Sequence, residues 1–344
     1  MTDHDDARDL LAAWAFGALE PADERTLLLH LAACQSCAAE AERLRETVQL
    51  LDGPPLDEPP SAAASPLDTL LTGAFRARPA PFRVARHAAP YAAAVAGIEA
   101  LLPEMRGRWS TPVVHDWDVH ATVAHLLAAD EHLAVRLGID ARVPGARIDE
   151  DANWSDAWDR RSAEVIAHEY GRTPEETVAD WSAQAAALLG TPYALDPELA
   201  AGTALSMGIR LPVTEHFLAR AFEAWIHTDD IGRALGLAVP PPPEEHLGQL
   251  VRLAVRILGT VLGAGAAPVL LAFKGGAGGG AMSGEQWVLG SQSDPVAAEL
   301  TLDPVDFCLL VGGRQAPDTV PRHTTGDAAA AGNVLERAAS LSWL

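Results

Sequence analysis

The sequence predicts a mainly α-helical protein in three parts. These are a small helical domain over residues 1–77, a helical bundle over 78–240 and a small α/β domain over 241–344. Three observations predict it. Apolar residues recur at helical spacing through most of the chain up to residue 236, in segments of bundle length. Two proline-rich stretches, "GPPLDEPPSAAAS" at 53–65 and "VPPPPEE" at 239–245, interrupt that pattern. Beyond residue 262, short apolar runs of strand length alternate with helical ones. A length of 344 residues with 49% hydrophobic content is enough for more than one core.

Taken in order, residues 7–19 and 22–50 read as helices. Pro21 opens the second, and Leu27, Leu28, Leu31, Leu44, Val48 and Leu51 form its apolar stripe. Residues 53–65 read as a linker, and "PLDTLLTGAFRA" at 66–77 as one short amphipathic helix. Bundle helices are expected over 84–106, 118–137, 154–170, 174–189 and 210–236. A helix over 244–262 leads to strands in "PVLLAFKG", "EQWVLG" and "AAELTL", then to helices over 303–312 and 326–341. "GGAGGGAMSG" lacks the Gly-Lys-Ser/Thr ending of a phosphate-cradling loop and reads as a hairpin connection.

The formal net charge is −22, which excludes the basic footprint that direct DNA or RNA binding requires. It suits a basic protein partner. The amino-terminal "MTDHDDARDLL" has neither the basic region nor the apolar core of a signal peptide. No uncharged apolar run reaches the roughly 18 residues of a membrane-spanning helix. The expectation is a cytoplasmic protein that does not engage a membrane. Two of its three cysteines lie at C-x₂-C, a spacing that in a reducing compartment reads as metal or redox chemistry.

That spacing belongs to "HLAACQSCAAE", residues 30–40. On one helix, His30, Cys34 and Cys37 stand at i, i+4 and i+7 and share a face. They would supply three corners of a tetrahedral zinc site. The fourth ligand must come from elsewhere, and His4 and Asp3 at the start of a helix that could fold back are the candidates, with His4 the better zinc ligand. The plainer alternative makes both cysteines small buried apolar residues and His30 a surface histidine. A redox dithiol of thioredoxin type would need a strand-to-helix turn, and none is expected here. The H-x₃-C-x₂-C motif and the preceding "ARDLLAAWAFGALEPADERTLLLHLAACQSC" resemble the zinc-binding anti-sigma domain of bacteria over residues 1–77. The resemblance implies a domain that wraps a sigma factor of the extracytoplasmic-function type and blocks its contact with RNA polymerase. It also implies that His4, His30, Cys34 and Cys37 hold zinc.

A second constellation lies in the bundle. His125 sits within the apolar stripe of "HDWDVHATVAHLLAADEHLAVRLG", and Glu223 and His227 stand at i and i+4 in "HFLARAFEAWIHTDDIGRALG". If the two helices adjoin, the three form a His₂Glu set of the kind that holds a catalytic zinc with open positions. Spacing alone equally allows a satisfied core histidine and a solvated Glu–His pair. His120 and His132 read as surface or rim residues, and Cys308 as core.

"W-x-V-x₅-HL" from Trp117 to Leu126 and "E-x₃-H-x₂-D" from Glu223 to Asp230 are similar to the DinB-like, mycothiol-dependent maleylpyruvate isomerase family of actinobacteria, and so are "LDPVDFCLLVGGR" and "GDAAAAGNVLERA". This resemblance runs from about residue 84 to the end of the chain. It implies a DinB-like four-helix bundle with a small carboxy-terminal α/β domain. It also implies a divalent metal, usually zinc, on His125, Glu223 and His227, and a low-molecular-weight thiol such as mycothiol bound there as thiolate. Asp230 and Arg314 would be the catalytic residues, Asp230 orienting His227 and Arg314 standing near the thiol and substrate. Otherwise each reads as a surface charge. His115 stands where that family often carries a Pro-Gly turn, and the acidic stretch 138–160 matches no known substrate loop.

The amino-terminal motif is the more function-specific of the two. The order, zinc clip first and metal-site domain second, suits signal input joined to sigma release. Both favour a regulator, an anti-sigma factor whose bundle senses a thiol or electrophile. The alternative is a mycothiol-dependent isomerase or S-transferase with a zinc-finger docking module. A two-zinc scaffold without turnover is the third reading.

Overall fold

The computed structural model of the protein describes residues 4–15, 19, 21–34, 36–41, 43–44, 83–145, 154–206, 209–274 and 285–341. The expected linker at 53–65, the helix at 66–77, Asp3 and the glycine-rich loop at 275–284 lie outside the described residues, as does the middle of the acidic stretch. Two compact units are present, Met1–Ala80 and Pro81–Leu344.

In the first unit, α1 (His4–Ala15) is followed by α2 (Pro21–Ala33), and residues 36–41 are helical again. The single helix expected from 22 onward is broken at Cys34, whose carbonyl accepts from the Ala38 N–H at 3.0 Å and so starts the next helical turn. Among the described residues the core here is formed by Ala7, Leu11, Leu27 and Ala41, with Leu10, Trp14, Leu19, Leu31 and Leu44 packed partly against them.

In the second unit, four helices close a ring. They are α3 (Ala89–Met105), α4 (Val119–Arg136), α6 (Pro174–Leu189) and α9 (Val213–Leu235), with α5 (Trp154–Glu169) laid on α4. Local chemistry fixes their ends. Asp118 caps α4 by accepting from the Ala121 N–H at 2.8 Å, and Thr173 and Glu176 form a reciprocal capping box on α6. Gly236, at φ 73°, ends α9 in the left-handed conformation. Almost every residue of α4 between Val119 and Ala134 is buried, so this helix is central and covered on all sides.

The remaining elements complete the unit. Antiparallel hairpins β1 (Pro112–Val114) with β2 (Trp117–Asp118), and β3 (Thr203–Ser206) with β4 (Ile209–Pro212), precede α4 and α9. Two single turns, α7 (Pro192–Leu195) and α8 (Pro197–Ala200), bridge α6 to β3. After α10 (Glu244–Leu262) come β5 (Val269–Phe273), β6 (Gln286–Leu289) and β7 (Ala298–Leu302). Then α11 (Pro304–Val311), β8 (Arg322–Gly326) and α12 (Ala328–Ala339) follow. The sheet order is β6-β5-β7-β8, with β5 and β7 parallel and the outer pairs antiparallel. The antiparallel β5–β6 pair agrees with the hairpin reading of the glycine-rich connection. Val269, Leu271 and Phe273 alternate inward with Ala298, Leu300 and Leu302, the period of two that a sheet with one packed face requires.

Bundle and sheet share one core. It runs from Ile98 and Leu127 through Phe217 and Ile226 to Leu253, Leu271 and Phe307. Gly312 follows α11 so closely against α9 that a Cβ there would lie 3.0 Å from Ile226 Cδ1. Among the described residues no helix is long and apolar enough to cross a membrane.

The bundle core also holds a carboxyl. Asp130 is 2% exposed and accepts a hydrogen bond from the Tyr91 hydroxyl at 2.6 Å. Burial pushes Asp130 up to about 7, against the pull of Arg220 and of the Tyr91 bond. A raised carboxyl pKa means that the native chain keeps a proton the unfolded chain has released. Stability therefore falls as pH rises from about 4 to about 7, by on the order of a few kcal/mol from this group. Asp130→Asn, which imitates the protonated form, flattens that slope and raises the urea midpoint at about pH 8 more than at about pH 5. Parallel pH profiles for the two proteins would contradict the assignment.

Candidate metal centres

The amino-terminal cluster is assembled by the end of α2, the Cys34 break and the start of α1. His4, His30, Cys34 and Cys37 each offer one donor atom, and these atoms lie within 4.8 Å of one another. His4 Nδ1 stands 3.5 Å from Cys34 Sγ and 3.6 Å from Cys37 Sγ, and the His4 and His30 ring centres are 5.8 Å apart. The four residues expected from the sequence therefore come together. Cys34 stands at the break and Cys37 in the helical segment after it, where the sequence reading had placed both on one face of one helix.

The electrostatics differ between the two sulfurs. The Ser36 hydroxyl lies 3.2 Å from Cys34 and brings its thiol down to about 6, while burial pushes the Cys37 thiol up. His30 Nε2 is buried without a hydrogen-bond partner among the described residues. Two sulfurs and two imidazoles, one of them with an orphaned ring nitrogen, form a donor set that fits a tetrahedral zinc ion. Such an ion would satisfy the orphan and bind the lower-pKa thiol as thiolate.

In the second unit, α4 supplies His125 and α9 supplies Glu223 and His227, all three buried and again within 4.8 Å of one another. Glu223 Oε1 lies 2.8 Å from His125 Nε2 and 3.4 Å from His227 Nε2. Burial would raise the Glu223 carboxyl, yet the bonds from the two imidazoles outweigh it and hold the group well below the usual carboxylate range. Burial lowers His125. His227 is also buried, but hydrogen bonds to Asp230 and Glu223 raise it.

Behind His227 stands a chain of polar contacts. Asp230 Oδ2 is 3.1 Å from His227 Nδ1, and Arg314 Nε lies 3.1 Å from both Asp230 oxygens. Burial would raise Asp230, but its bonds with His227 and Arg314 keep it low. With Nδ1 turned to Asp230, His227 aims Nε2 at Glu223, the arrangement that presents an imidazole lone pair to an ion. Two imidazoles and a carboxylate fit a divalent cation with positions left for an exogenous ligand.

Some readings need correction. His120 is 7% exposed and bonds Thr177 Oγ1 at 2.8 Å, and Thr177 in turn donates to Glu169 at 2.7 Å. His132 sits 4.9 Å from the Trp158 ring centre, and burial pushes its pKa down to about 4. His120 is buried and His132 partly buried at the rim, because α5 and α6 cover the side of α4 that sequence periodicity left open. Asp230 and Arg314 are paired, not lone surface charges. Cys308 is core, as expected.

Two aromatic neighbours were not anticipated. Trp117 stacks 4.4 Å from His125 and Trp158 meets the same ring edge-on at 5.9 Å. Trp117 lies within the quoted motif, but no spacing rule ties Trp158 to His125. His115 takes a positive φ of 53° in the β1–β2 turn, where the resemblance anticipated a Pro-Gly pair.

Two segments of the chain match known family models. Residues 89–232 match the family model described as "Mycothiol maleylpyruvate isomerase N-terminal domain", and residues 5–38 match the one described as "Putative zinc-finger". The first segment contains His125, Glu223, His227 and Asp230, and the second contains His30, Cys34 and Cys37; Arg314 and His4 fall outside them. Two solved structures are similar. One is a histidine-to-alanine mutant of the mycothiol-dependent maleylpyruvate isomerase, at 14% identity, covering 70% of this chain and 93% of that chain with a TM-score of 0.47. The other is the mycothiol-dependent maleylpyruvate isomerase, at 15% identity, 70% and 93% coverage and a TM-score of 0.45. No curated protein matches the chain.

Removing the support behind His227 tests the second centre. Asp230→Asn is expected to weaken Zn²⁺ binding at His125, Glu223 and His227 by about 10–100-fold, read by competition with a chromophoric chelator. An affinity equal to that of the unmodified protein would deny Asp230 its orienting role.

Proposed function

We propose that this chain is an anti-sigma-type regulator, held in shape by zinc at its amino-terminal cluster, whose bundle binds a low-molecular-weight thiol or electrophile at a second metal. The observation that supports this reading is the contrast between the two donor sets. Four donors, two of them sulfur, close a coordination shell and suit a structural ion. Three donors of the His₂Glu kind leave room for a ligand from solution. The first set would add a metal staple to a small unit. The strong negative charge of the chain suits a basic surface on a sigma factor of the extracytoplasmic-function type.

A divalent ion at the second set would supply Lewis acidity that lowers the pKa of a ligating thiol such as mycothiol. The chain's own residues do the rest. Glu223 balances charge, Asp230 fixes the His227 tautomer, and Trp117 and Trp158 wall His125 with apolar surface. Arg314, its side chain 12% exposed and clamped by Asp230, offers a fixed positive charge beside His227.

That Arg314–Asp230–His227 arrangement also favours a second reading, a mycothiol-dependent isomerase or S-transferase with an amino-terminal docking module. A charged clamp of this kind is what orientation of an anionic substrate would need.

Pull-down from native cells with metal analysis of the eluate separates the readings. The regulator is expected to elute with a sigma factor and about two metal ions per chain, one for each donor set. Cys34→Ser or Cys37→Ser loses one metal and the partner while the bundle stays folded; Glu223→Ala loses the other metal alone. Retention of the sigma factor by the Cys34→Ser protein would sink the zinc-staple mechanism. Metal-dependent consumption of an electrophile with mycothiol, abolished by His125→Ala, without any sigma factor in the eluate, would move the assignment to the enzyme.

A further inference from the structure

The three donors of the second centre are nearly out of reach of solvent: His125 is 4%, Glu223 7% and His227 3% exposed. Of the side chains laid against them, Trp158 and Asp230 are buried, while Trp117 and Arg314 are partly exposed. Those two stand between the centre and solvent. Arg314 is clamped by Asp230. Trp117 covers two donors at once, its ring centre 4.4 Å from that of His125, at an interplanar angle of 31°, and 6.1 Å from that of His227.

We propose that Trp117, propped by His115, is the movable barrier a ligand from solution must displace to reach His125, Glu223 and His227, and that it selects against thiols branched at the carbon bearing sulfur. The proposal rests on reading that centre as a metal site with open positions.

The hairpin that carries Trp117 can give way locally. Strands β1 and β2 have three and two residues, and their register shifts between Pro112 and Val114. Pairing this short holds two strands together weakly. The base of the hairpin is fixed. The Val119 N–H donates to the Thr111 carbonyl at 3.1 Å, the His120 N–H donates to the Trp109 carbonyl at 3.1 Å, and Asp118 caps α4. Trp117 packs partly against Ala121, Ala124 and Ile166, a cluster separate from the main core. The ring can therefore leave the donors while α4 and the main core stay in place.

The tip of the hairpin supplies an independent observation. His115 takes a φ of 53° and is the only non-glycine residue with positive φ among the described residues. Glycine would adopt that conformation in a two-residue turn without strain. The chain carries an exposed imidazole there instead, and its ring meets Trp117 edge-on at 5.2 Å. Edge-to-face ring contact is favourable, so the strained residue holds Trp117 down on His125. Backbone strain kept beside a site points to a role at that site. A barrier one ring wide discriminates by bulk near the ligating atom. A sulfur carried on a CH₂ group slips past the ring edge, whereas branching at that carbon forces the ring aside.

The test follows Zn²⁺ uptake and release by the full-length protein in stopped flow with a chromophoric chelator. The second centre is the kinetic phase that Glu223→Ala abolishes. A barrier alters both rates and leaves the equilibrium alone. Trp117→Ala is expected to speed uptake and release alike by at least about tenfold, while the dissociation constant moves by less than about threefold. His115→Gly relieves the turn and removes the prop. It speeds both rates by at least about threefold, with an unfolding temperature no lower than that of the unmodified protein. His115→Phe, which keeps a ring, leaves both rates as they were. With Co²⁺ in the protein, 2-mercaptoethanol is expected to produce a thiolate-to-metal absorption band that Glu223→Ala lacks. The branched 2-methyl-2-propanethiol produces it at least about tenfold more slowly, and Trp117→Ala removes that difference.

Equal ion rates in the unmodified and Trp117→Ala proteins would overturn the barrier and leave the metal centre standing. Faster release with unchanged uptake would do the same, and would make Trp117 a support for His125. Equal rates for the two thiols in the unmodified protein would overturn the selectivity. A thiol band absent from every protein would sink thiol binding and the selectivity with it, while the ion rates still decide the barrier. Absence of any phase sensitive to Glu223→Ala would remove the metal centre and the barrier together.

Discussion

A carboxylate buried between two imidazoles is the constraint around which the second unit is arranged. Glu223, His125 and His227 are each less than a tenth exposed, and burial by itself would make a charged carboxylate there costly. The two imidazoles offset that cost only if α4 and α9 are held at a fixed separation and rotation. The rest of the fold supplies that register. α3 and α6 complete the ring, α5 covers α4, and the Arg314 clamp ties the segment after α11 to α9 through Asp230. A shift of either helix by a residue would break the cluster and leave a buried charge unpaired.

The shared core explains why the sheet belongs to the same body as the bundle. Ile226 stands between Glu223 and His227 in sequence, yet it contacts Gly312 at the end of α11. The strand and helix pattern of the carboxy-terminal residues thus buttresses the helix that carries two of the three donors. α9 works on more than one face: donors toward α4, Ile226 toward α11, and Trp225 and Thr228 toward the prolines at 240–243. Its burial along most of its length follows from having partners on every side.

The first unit follows a different logic. Among the described residues its buried apolar cluster is Ala7, Leu11, Leu27 and Ala41, and its exposed ion pair between Arg8 and Glu40 contributes little. Convergence of two thiols and two imidazoles, with one ring nitrogen buried and unpartnered, gives the unit its most specific feature. The lowered Cys34 thiol and raised Cys37 thiol arise from a hydroxyl neighbour in one case and burial in the other.

Much of this was legible in the chain of letters. Helical periodicity located the bundle helices to within a few residues, the proline run at 239–245 marked the end of the bundle, and short apolar runs of strand length located β5 and β7. H-x₃-C-x₂-C and E-x₃-H named donor residues because one helical turn brings i and i+4 together whatever surrounds them. What lay beyond the sequence is what depends on contact between distant segments. The break at Cys34, the burial of His120, the cover of α5 over His132, and the edge-on contact of Trp158 with His125 are such cases. So is the pairing of Arg314 with Asp230, 84 residues apart. A sequence fixes local geometry through backbone periodicity and capping, and those rules act over a few residues. Which side of a helix is covered, which charge meets which, and where space is left are decided only when packed elements exclude one another's volume.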